Sequence, residues 1–428
     1  MNKNWGNYPK QKTSSELFNL DRKSKNFTKY CLPYGNGRSY GDSCLSKKLI
    51  EMKQYNKILN FDKDNGSILV ESGILISDII DIILPQGWFL QIVPGTKYVS
   101  IGGAIASDIH GKNHHKVGAF SSCINWFELL LPNDEILKCS KNTNIELFRS
   151  TCGGMGLTGI ILNVSLQLKR VYSSTIKQTI IKSKNLKETF NIFDSIDDEQ
   201  YSVAWIDCLS KGKKLGRSLI MYGDFCQNGN LNHKKHYKFN IPFYFPSFLL
   251  NSLTIKIFNF FYYHRILRNN YQTDISFDKF FFPLDSIENW NKMYGENGFT
   301  QYQFVLPLKH SFNGMSEILK KISESGKGSF LAVLKLFGKK NNNYMSFPME
   351  GYTLALDFKI EEGIFDLLNT LDEIVEKYEG RIYLAKDARI NESVFKKGYP
   401  GIEDFNRIRR KYKLINHFHS AQSKRLNI

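Results

Sequence analysis

The chain has 428 residues, more than one hydrophobic core usually holds, so two domains are expected. Its 42% hydrophobic and 14% aromatic content supplies large buried cores and excludes a disordered or collagen-like chain. A formal net charge of +17 suits nucleic acid, an anionic membrane surface or an anionic substrate. A lysine- and asparagine-rich composition accounts for much of it, and the absence of an arginine-rich tract or zinc-finger spacing argues against nucleic acid.

The seven cysteines (Cys31, Cys44, Cys123, Cys139, Cys152, Cys208 and Cys226) are odd in number and form no CxxC pair. With the opening "MNKNWGNYPKQKTSS", which is not a secretory signal, this predicts free thiols and a cytoplasmic, reducing location.

The first stretch that bears chemistry is "PYGNGRSYGDS", Pro33 to Ser43. Gly35, Gly37 and Gly41 tolerate positive φ, so successive N–H groups can form a nest for a pyrophosphate. No helix opens after it and there is no GK[ST], so it is neither a Rossmann nor a Walker loop; a Gly-rich surface turn is the alternative. From Lys57 to Val171 strands and helices alternate. "GSILVESG" reads as a strand and "ILISDIIDIIL" as a helix. "VPGT" turns at Pro94-Gly95. "SIGGAIASDIHG" then reads as a short helix of small residues, N-capped by Ser100, against which a flat ring can lie. His110 and His114 are four apart, as in a zinc helix. Gly111 breaks that helix and no Glu follows His110, so no metal site is expected.

"INWFELLLPNDEILKCS" reads as a hairpin turning at Pro132-Asn133-Asp134, and "NIELFRSTCGG" as a short helix stopped by glycines. "STCGGMGLTGIIL" packs four glycines into seven residues before a long alternating strand; it is either a tight turn or another wall of the same site. From residue 173 the pattern changes to two rounds of strand–helix–strand with extra strands, which predicts an antiparallel sheet with helices on one face. Within it, "IPFYFPSFLLNSLTIKIFNFFYYH" (Ile241 to His264) is long enough to span a bilayer, but Pro242, Pro246, Asn251, Lys256 and Asn259 interrupt it. A buried helix or an aromatic-rich helix on a membrane surface remain, and the preceding basic run "NHKKHYK" favours the surface. The tail from Arg381 reads as basic and helical, entered through "RIYLAKDARI".

Three separated Gly-rich stretches before an antiparallel domain resemble the flavoenzymes of the vanillyl-alcohol oxidase type. Within that class, "GNGRSYGD", "SIGGAIASDIHGKNHHKVG", "ELFRSTCGGMGLTGII", "QYQFVLP", "VLKLFG" and "YLAKDAR" resemble the decaprenylphosphoryl-β-D-ribose 2′-oxidase family, in its order and over nearly the whole chain. The resemblance implies an α+β fold: a two-part PCMH-type FAD-binding domain (1–172 and 380–428) with an inserted antiparallel-sheet cap domain (173–379). It implies that Pro33, Tyr34, Gly35, Asn36, Gly37, Arg38, Ser39, Tyr40, Gly41, Asp42 and Ser43 hold the FAD pyrophosphate. Gly95, Ser100, Ile101, Gly102, Gly103, Ser107, Asp108, Ile109 and His110 would wrap the flavin and its phosphates, with Ile160 or Ile161 and Tyr383 flanking it. Lys386 would reach flavin and substrate, and Lys335, Gln301, Gln303 and Lys112 would line the pocket; Lys386, Lys335, Gln303 and His110 are the catalytic candidates.

Two departures matter. Ala355 stands where mycobacterial members carry a cysteine, and Arg38-Ser39-Tyr40 lacks the histidine found in relatives with covalent flavin, so FAD held without a covalent bond is expected. The implied reaction is oxidation of the sugar 2′-hydroxyl of a polyprenylphosphoryl-β-D-ribose. An NAD-dependent short-chain reductase would complete an epimerisation to arabinose, for cell-wall or glycan synthesis, at the inner face of the inner membrane. The alternatives are a flavin oxidase of another polyol, aldonolactone or lipid-linked sugar, and, from a different class, a flavin-free basic binding protein.

Overall fold

The computed structural model describes residues 4–22, 30–233 and 238–428. The N-terminal part opens on a small parallel sheet in the order β1 (Ser14–Leu17), β3 (Lys48–Glu51), β2 (Cys31–Tyr34). A six-stranded antiparallel sheet follows. Its order is β4 (Ile58–Asp62), β5 (Ser67–Glu71), β9 (Ile160–Arg170), β7 (Ile124–Leu130), β8 (Ile136–Cys139), with β6 (Trp88–Leu90) also on β9. Strand β9 is central because its alternate residues Leu162, Val164, Leu166 and Leu168 are all buried. Helix α1 (Ile76–Ile83) buries Ile76, Ile79, Ile80 and Ile83 at helical spacing against this core. Helix α2 (Ile101–Ala106) starts where expected: the Ser100 hydroxyl accepts from Gly103 N at 3.2 Å. Two short helices, α3 (His114–Val117) and α4 (Ile145–Thr151), complete this part.

The second sheet is antiparallel and eight-stranded. In spatial order it runs β14 (Asn270–Ser276), β10 (Thr175–Ser183), β12 (Ser218–Phe225), β11 (Tyr201–Ile206), β17 (Ala332–Phe337), β18 (Gly351–Lys359), β16 (Phe299–Pro307), β19 (Arg381–Ile382). Strands β13 (Phe239–Asn240) and β15 (Ile287–Glu288) form a separate parallel pair. Strand alternation gives the large sheet two chemically distinct faces. Tyr302, Phe304, Leu334, Tyr352, Leu354 and Leu356 pack with helices α5 (Leu186–Ser195), α8 (Leu308–Ser325) and α9 (Ile364–Lys377) in one core. The intervening residues Gln301, Gln303, Val333, Lys335, Thr353 and Ala355 face the other way, into a cavity.

Ile241 to His264 does not form one helix. Its prolines hold the first half out of helix, and helix α6 (Ser252–His264) has 13 residues, about 20 Å long against a hydrocarbon core of about 30 Å. Among the described residues no helix is long and apolar enough to cross a membrane. Residues 234–237 of the basic run before it lie outside the described residues. A short helix α7 (Phe277–Phe281) then follows β14.

After β19 the chain returns to its beginning through α10 (Glu392–Gly398), α11 (Ile402–Lys411) and α12 (Ala421–Arg425). Cys31 bridges to Phe418, Ala421 N donates to Leu45 O at 2.7 Å, and Tyr40 N donates to Ala385 O at 3.1 Å. The C-terminal segment thus packs on the N-terminal sheet while Arg381 and Ile382 still pair with β16. All seven cysteines are free thiols.

Candidate active site

The cavity, of about 650 Å³, lies between the Gly-rich segments of the first part and the open face of the eight-stranded sheet. The first loop forms one wall: Pro33 to Tyr40 and Ser43 all line it. Among the described residues no acceptor takes the amides of Gly35, Asn36, Gly37, Arg38 and Ser39. Gly37 has φ +59°, and a Cβ on Gly35 would come within 2.1 Å of the Ser100 hydroxyl, so loop and helix N-terminus touch backbone to side chain. Gly95, Ser100, Gly103, Ser107, Ile109 and His110 form the second wall, with Tyr383, whose hydroxyl donates to Ser107 O at 3.0 Å. A Cβ on Gly95 would meet nothing within 4 Å. Ser43 Oγ, Arg38 Nε and His110 Nδ1 are buried polar atoms with no partner, as expected where a polar ligand completes the site.

The sheet supplies the third wall. Gln303 donates through Nε2 to His110 Nε2 (3.0 Å) and to Thr353 Oγ1 (3.3 Å), and Thr353 donates to Phe304 O (2.7 Å). This chain fixes His110 as the tautomer carrying its proton on Nδ1 and leaves the Gln303 carbonyl for a ligand. Burial, with Lys335, His114 and Lys386 nearby, holds the His110 imidazole well below its usual range, so it is neutral. His114 is occupied by Gly338 N (3.2 Å) and His115 by Glu199 O (2.9 Å).

Three lysines converge here. Lys112, Lys335 and Lys386 line the cavity, and among the described residues no carboxylate lies within ion-pair distance of any of them. Burial pushes Lys112 down to about 7 and Lys335 down to about 8. Lys112 donates to Phe280 O, and Lys386 sits 3.6 Å from the Tyr40 ring centroid. Burial likewise lowers Lys386, opposed by Asp357, whose own carboxyl burial raises. Asp357 accepts from Gln301 Nε2 at 2.5 Å, while Asp387, next to Lys386 in sequence, binds Arg425 instead (2.7 Å). Ammonium groups buried without a carboxylate at ion-pair distance are costly, a cost that a bound anion would offset.

Seven of the expected cofactor residues lie off the cavity wall. A Cβ on Gly41 would sit 1.6 Å from Asp387 O, and one on Gly102 3.2 Å from Ser72, so these glycines serve close packing of backbones. Asp42 is bound by Arg425 Nε and Nη2 at 2.9 and 2.8 Å. Asp108 takes Ser121, Asn341, Asn343 and Ser346 as partners, tying the 341–346 loop to the second wall. Ile101, Ile160 and Ile161 are buried in the first core. Conversely, the sequence does not single out Thr353 or Arg425, although the i, i+2 alternation in "GYTLALDF" marks Thr353, Ala355 and Asp357 as one face.

Comparison with known proteins matches this geometry. A family model described as an FAD binding domain covers residues 14–140. The decaprenylphosphoryl-β-D-ribose oxidase of Mycolicibacterium smegmatis is 35% identical over 92% of this chain and 88% of that protein. The L-gulonolactone oxidase of Bos taurus is 32% identical over 38% of the chain and 36% of that protein, and the D-lactate dehydrogenase of Anaerostipes hadrus is 28% identical over 33% and 30%. The FAD-binding match sets aside a flavin-free binding protein. The open amides, the open space at Gly95 and the orphaned polar atoms fit FAD, and the protein is an FAD-dependent oxidoreductase acting on CH–OH groups. The chain belongs to the decaprenylphosphoryl-β-D-ribose oxidase family, within the vanillyl-alcohol oxidase class of flavoenzymes.

Proposed function

We propose that this enzyme oxidises the 2′-hydroxyl of a polyprenylphosphoryl-β-D-ribose to the 2′-keto sugar. The observation that carries the reading is the convergence of Lys112, Lys335 and Lys386, without paired carboxylates, on the face that also presents Gln301, Gln303 and His110. A phosphodiester finds its countercharge in the ammonium groups, and the sugar hydroxyls find donors and acceptors in the glutamines. The first loop and the N-terminus of α2 hold the cofactor's phosphates, and FAD, when bound, supplies the two-electron acceptor. The alcohol loses its C2′ hydrogen with two electrons and its hydroxyl proton. Lys386, its ammonium disfavoured by burial, receives the hydroxyl proton in its neutral form, and the ammonium so formed stabilises the alkoxide character of the oxygen, while His110 Nε2 is held by Gln303.

Non-covalent FAD is part of this reading, because Arg38-Ser39-Tyr40 lacks the histidine that relatives with covalent flavin carry in this loop. Acid precipitation is expected to leave the flavin colour in the supernatant; colour in the pellet contradicts it. A pH dependence also follows. Lys112 and Lys335 are protonated below about 7 and about 8, and lose charge above. KM for the phosphate-bearing substrate therefore rises as pH climbs through that window, whereas a neutral sugar analogue shows no such rise. A flat KM overturns the phosphate assignment of these lysines.

The wider setting belongs to the same proposal. An NAD-dependent short-chain reductase returns a hydride to the opposite face of the ketone and yields the arabinose form, a precursor for cell-wall or glycan synthesis. The enzyme rests peripherally on the inner membrane from the cytoplasm. Supporting this, Phe243, Phe248, Leu253, Phe261 and Leu267 around α6 are 64, 71, 66, 67 and 92% exposed, an apolar surface beside the basic Arg265 and Arg268. The deciding experiment is incubation with polyprenylphosphoryl-ribose and mass analysis for a product two hydrogens lighter, converted to the arabinose isomer only when reductase and NADH are added. Turnover of a free aldonolactone but not of the lipid sugar defeats the proposal.

A further inference from the structure

One edge of the cavity is out of keeping with a site for a sugar phosphate. The strand register lays a single transverse row across the open face of the eight-stranded sheet. Tyr271 on β14 pairs with Ile180 on β10, Ile180 with Met221 on β12, and Met221 with Val203 on β11. Two residues on, Trp205 pairs with Val333 on β17, Val333 with Ala355 on β18, and Ala355 with Gln303 on β16. Cross-strand partners share a face, so this row is one continuous floor. It crosses six strand spacings, about 29 Å. Its β16–β17 end carries Gln303, Lys335 and Thr353; its β11–β14 end carries only apolar and aromatic side chains along the row.

That apolar end is roofed. Helix α6 is anchored over it by Asn259 Nδ2 to Asp207 Oδ1 (2.8 Å), by Tyr263 OH to Ser183 O (3.0 Å) and by Tyr262 against Trp205 (centroids 4.7 Å apart). Tyr262, Arg265 and Ile266 line the same cavity as Ile180 and Met221. The arm reaches the surface where Tyr271 is 43% exposed, next to the apolar outer face of α6.

We infer that this arm is the track for the hydrocarbon chain of the substrate, which enters from the membrane side of α6 and lies across β14, β10, β12 and β11 with its phosphate delivered to Lys335. The inference rests on the polyprenylphosphoryl reading above and fixes where the lipid runs. A ligand anionic at one end and apolar beyond it is complementary to a cavity with Lys335 and Lys386 at one end and, at the other, an apolar row with Gln178, Arg265 and Lys279 at its margins, whereas a free lactone or hydroxy acid leaves the arm without a role.

The test uses the FAD-loaded full chain and two probes. First, kcat/KM is compared for decaprenyl- and geranyl-phosphoryl-ribose in wild type, in Met221→Glu in the floor and in Ile266→Glu at the half-exposed mouth, which is the variant less demanding on folding. A charge in the arm is expected to lower the decaprenyl-to-geranyl ratio about tenfold or more. An unchanged ratio in both variants overturns the track. Second, decaprenyl phosphate without sugar is titrated against protein fluorescence, with inorganic phosphate as control. Quenching by the lipid alone, lost in Trp205→Phe, supports the track even if the lipid sugar is not turned over, and so separates failure of the substrate reading from failure of the track. Equal quenching in wild type and Trp205→Phe overturns it.

Discussion

Replacing Lys386 by alanine is expected to slow reduction of the bound flavin by substrate about 10²–10³-fold, the usual cost of removing one preorganised group facing a developing oxyanion. The flavin remains bound, because Lys386 is on the turn after β19 and not in the loop that offers its amides. The local setting makes the effect specific. Lys386 is buried against the Tyr40 ring, with the Asp357 carboxyl opposing the depression of its ammonium by burial. Lys386→Arg keeps the charge but changes its shape, and Lys386→Met keeps the bulk without the charge; the account requires arginine to recover more rate than methionine. Stopped-flow reduction under anaerobic conditions reads this directly, and a methionine variant reduced as fast as wild type removes Lys386 from the chemistry.

The second large effect is on stability. Arg425, in α12, binds Asp42 through two nitrogens, Asp387 at 2.7 Å and the Ile390 carbonyl. Asp42 and Asp387 are 4 and 4% exposed, so Arg425→Ala leaves two carboxylates buried without their cation. Breaking such a buried network by removing one partner costs about 3–5 kcal/mol. The loss is expected as a lowered midpoint in thermal or denaturant unfolding, and Asp42→Asn with Asp387→Asn in the same chain is expected to restore part of it. An Arg425→Ala protein as stable as wild type shows that the C-terminal helix does not hold the first loop to the Lys386 turn.

These two residues also differ in how far the sequence reaches them. Lys386 is marked only by the resemblance of "YLAKDAR" to the family, and the fold places it on the cavity wall. Arg425 is one of many basic residues in a basic tail, and only the return of α12 onto the first loop gives it two carboxylates. Glycine carries a mixed signal for the same reason. Gly95 leaves open space in the cavity, while Gly35, Gly41 and Gly102 permit close contact with Ser100, Asp387 and Ser72, and the letters do not distinguish the two demands. Alternation in "FTQYQFVLPL" and "GYTLALDFKI" is legible as strand and shows that Gln301 shares a face with Gln303, and Thr353 with Ala355. It does not reveal that β10 lies beside β14, 95 residues later between Thr175 and Asn270, so the floor of the apolar arm comes only from the register. The Ser100 cap, the helix stopped before Gly111 and the hairpin at Pro132 are local effects, fixed by neighbours in sequence, and they are found where the residues predict them.

The most direct test of the central claim is anaerobic mixing of the FAD-loaded protein with polyprenylphosphoryl-β-D-ribose, L-gulonolactone and D-lactate in turn, following the flavin absorption. The account predicts that the lipid sugar bleaches the flavin in a single turnover and yields the 2′-keto product, and that the other two do not. Bleaching by the lactone or by lactate, with no response to the lipid sugar, contradicts it.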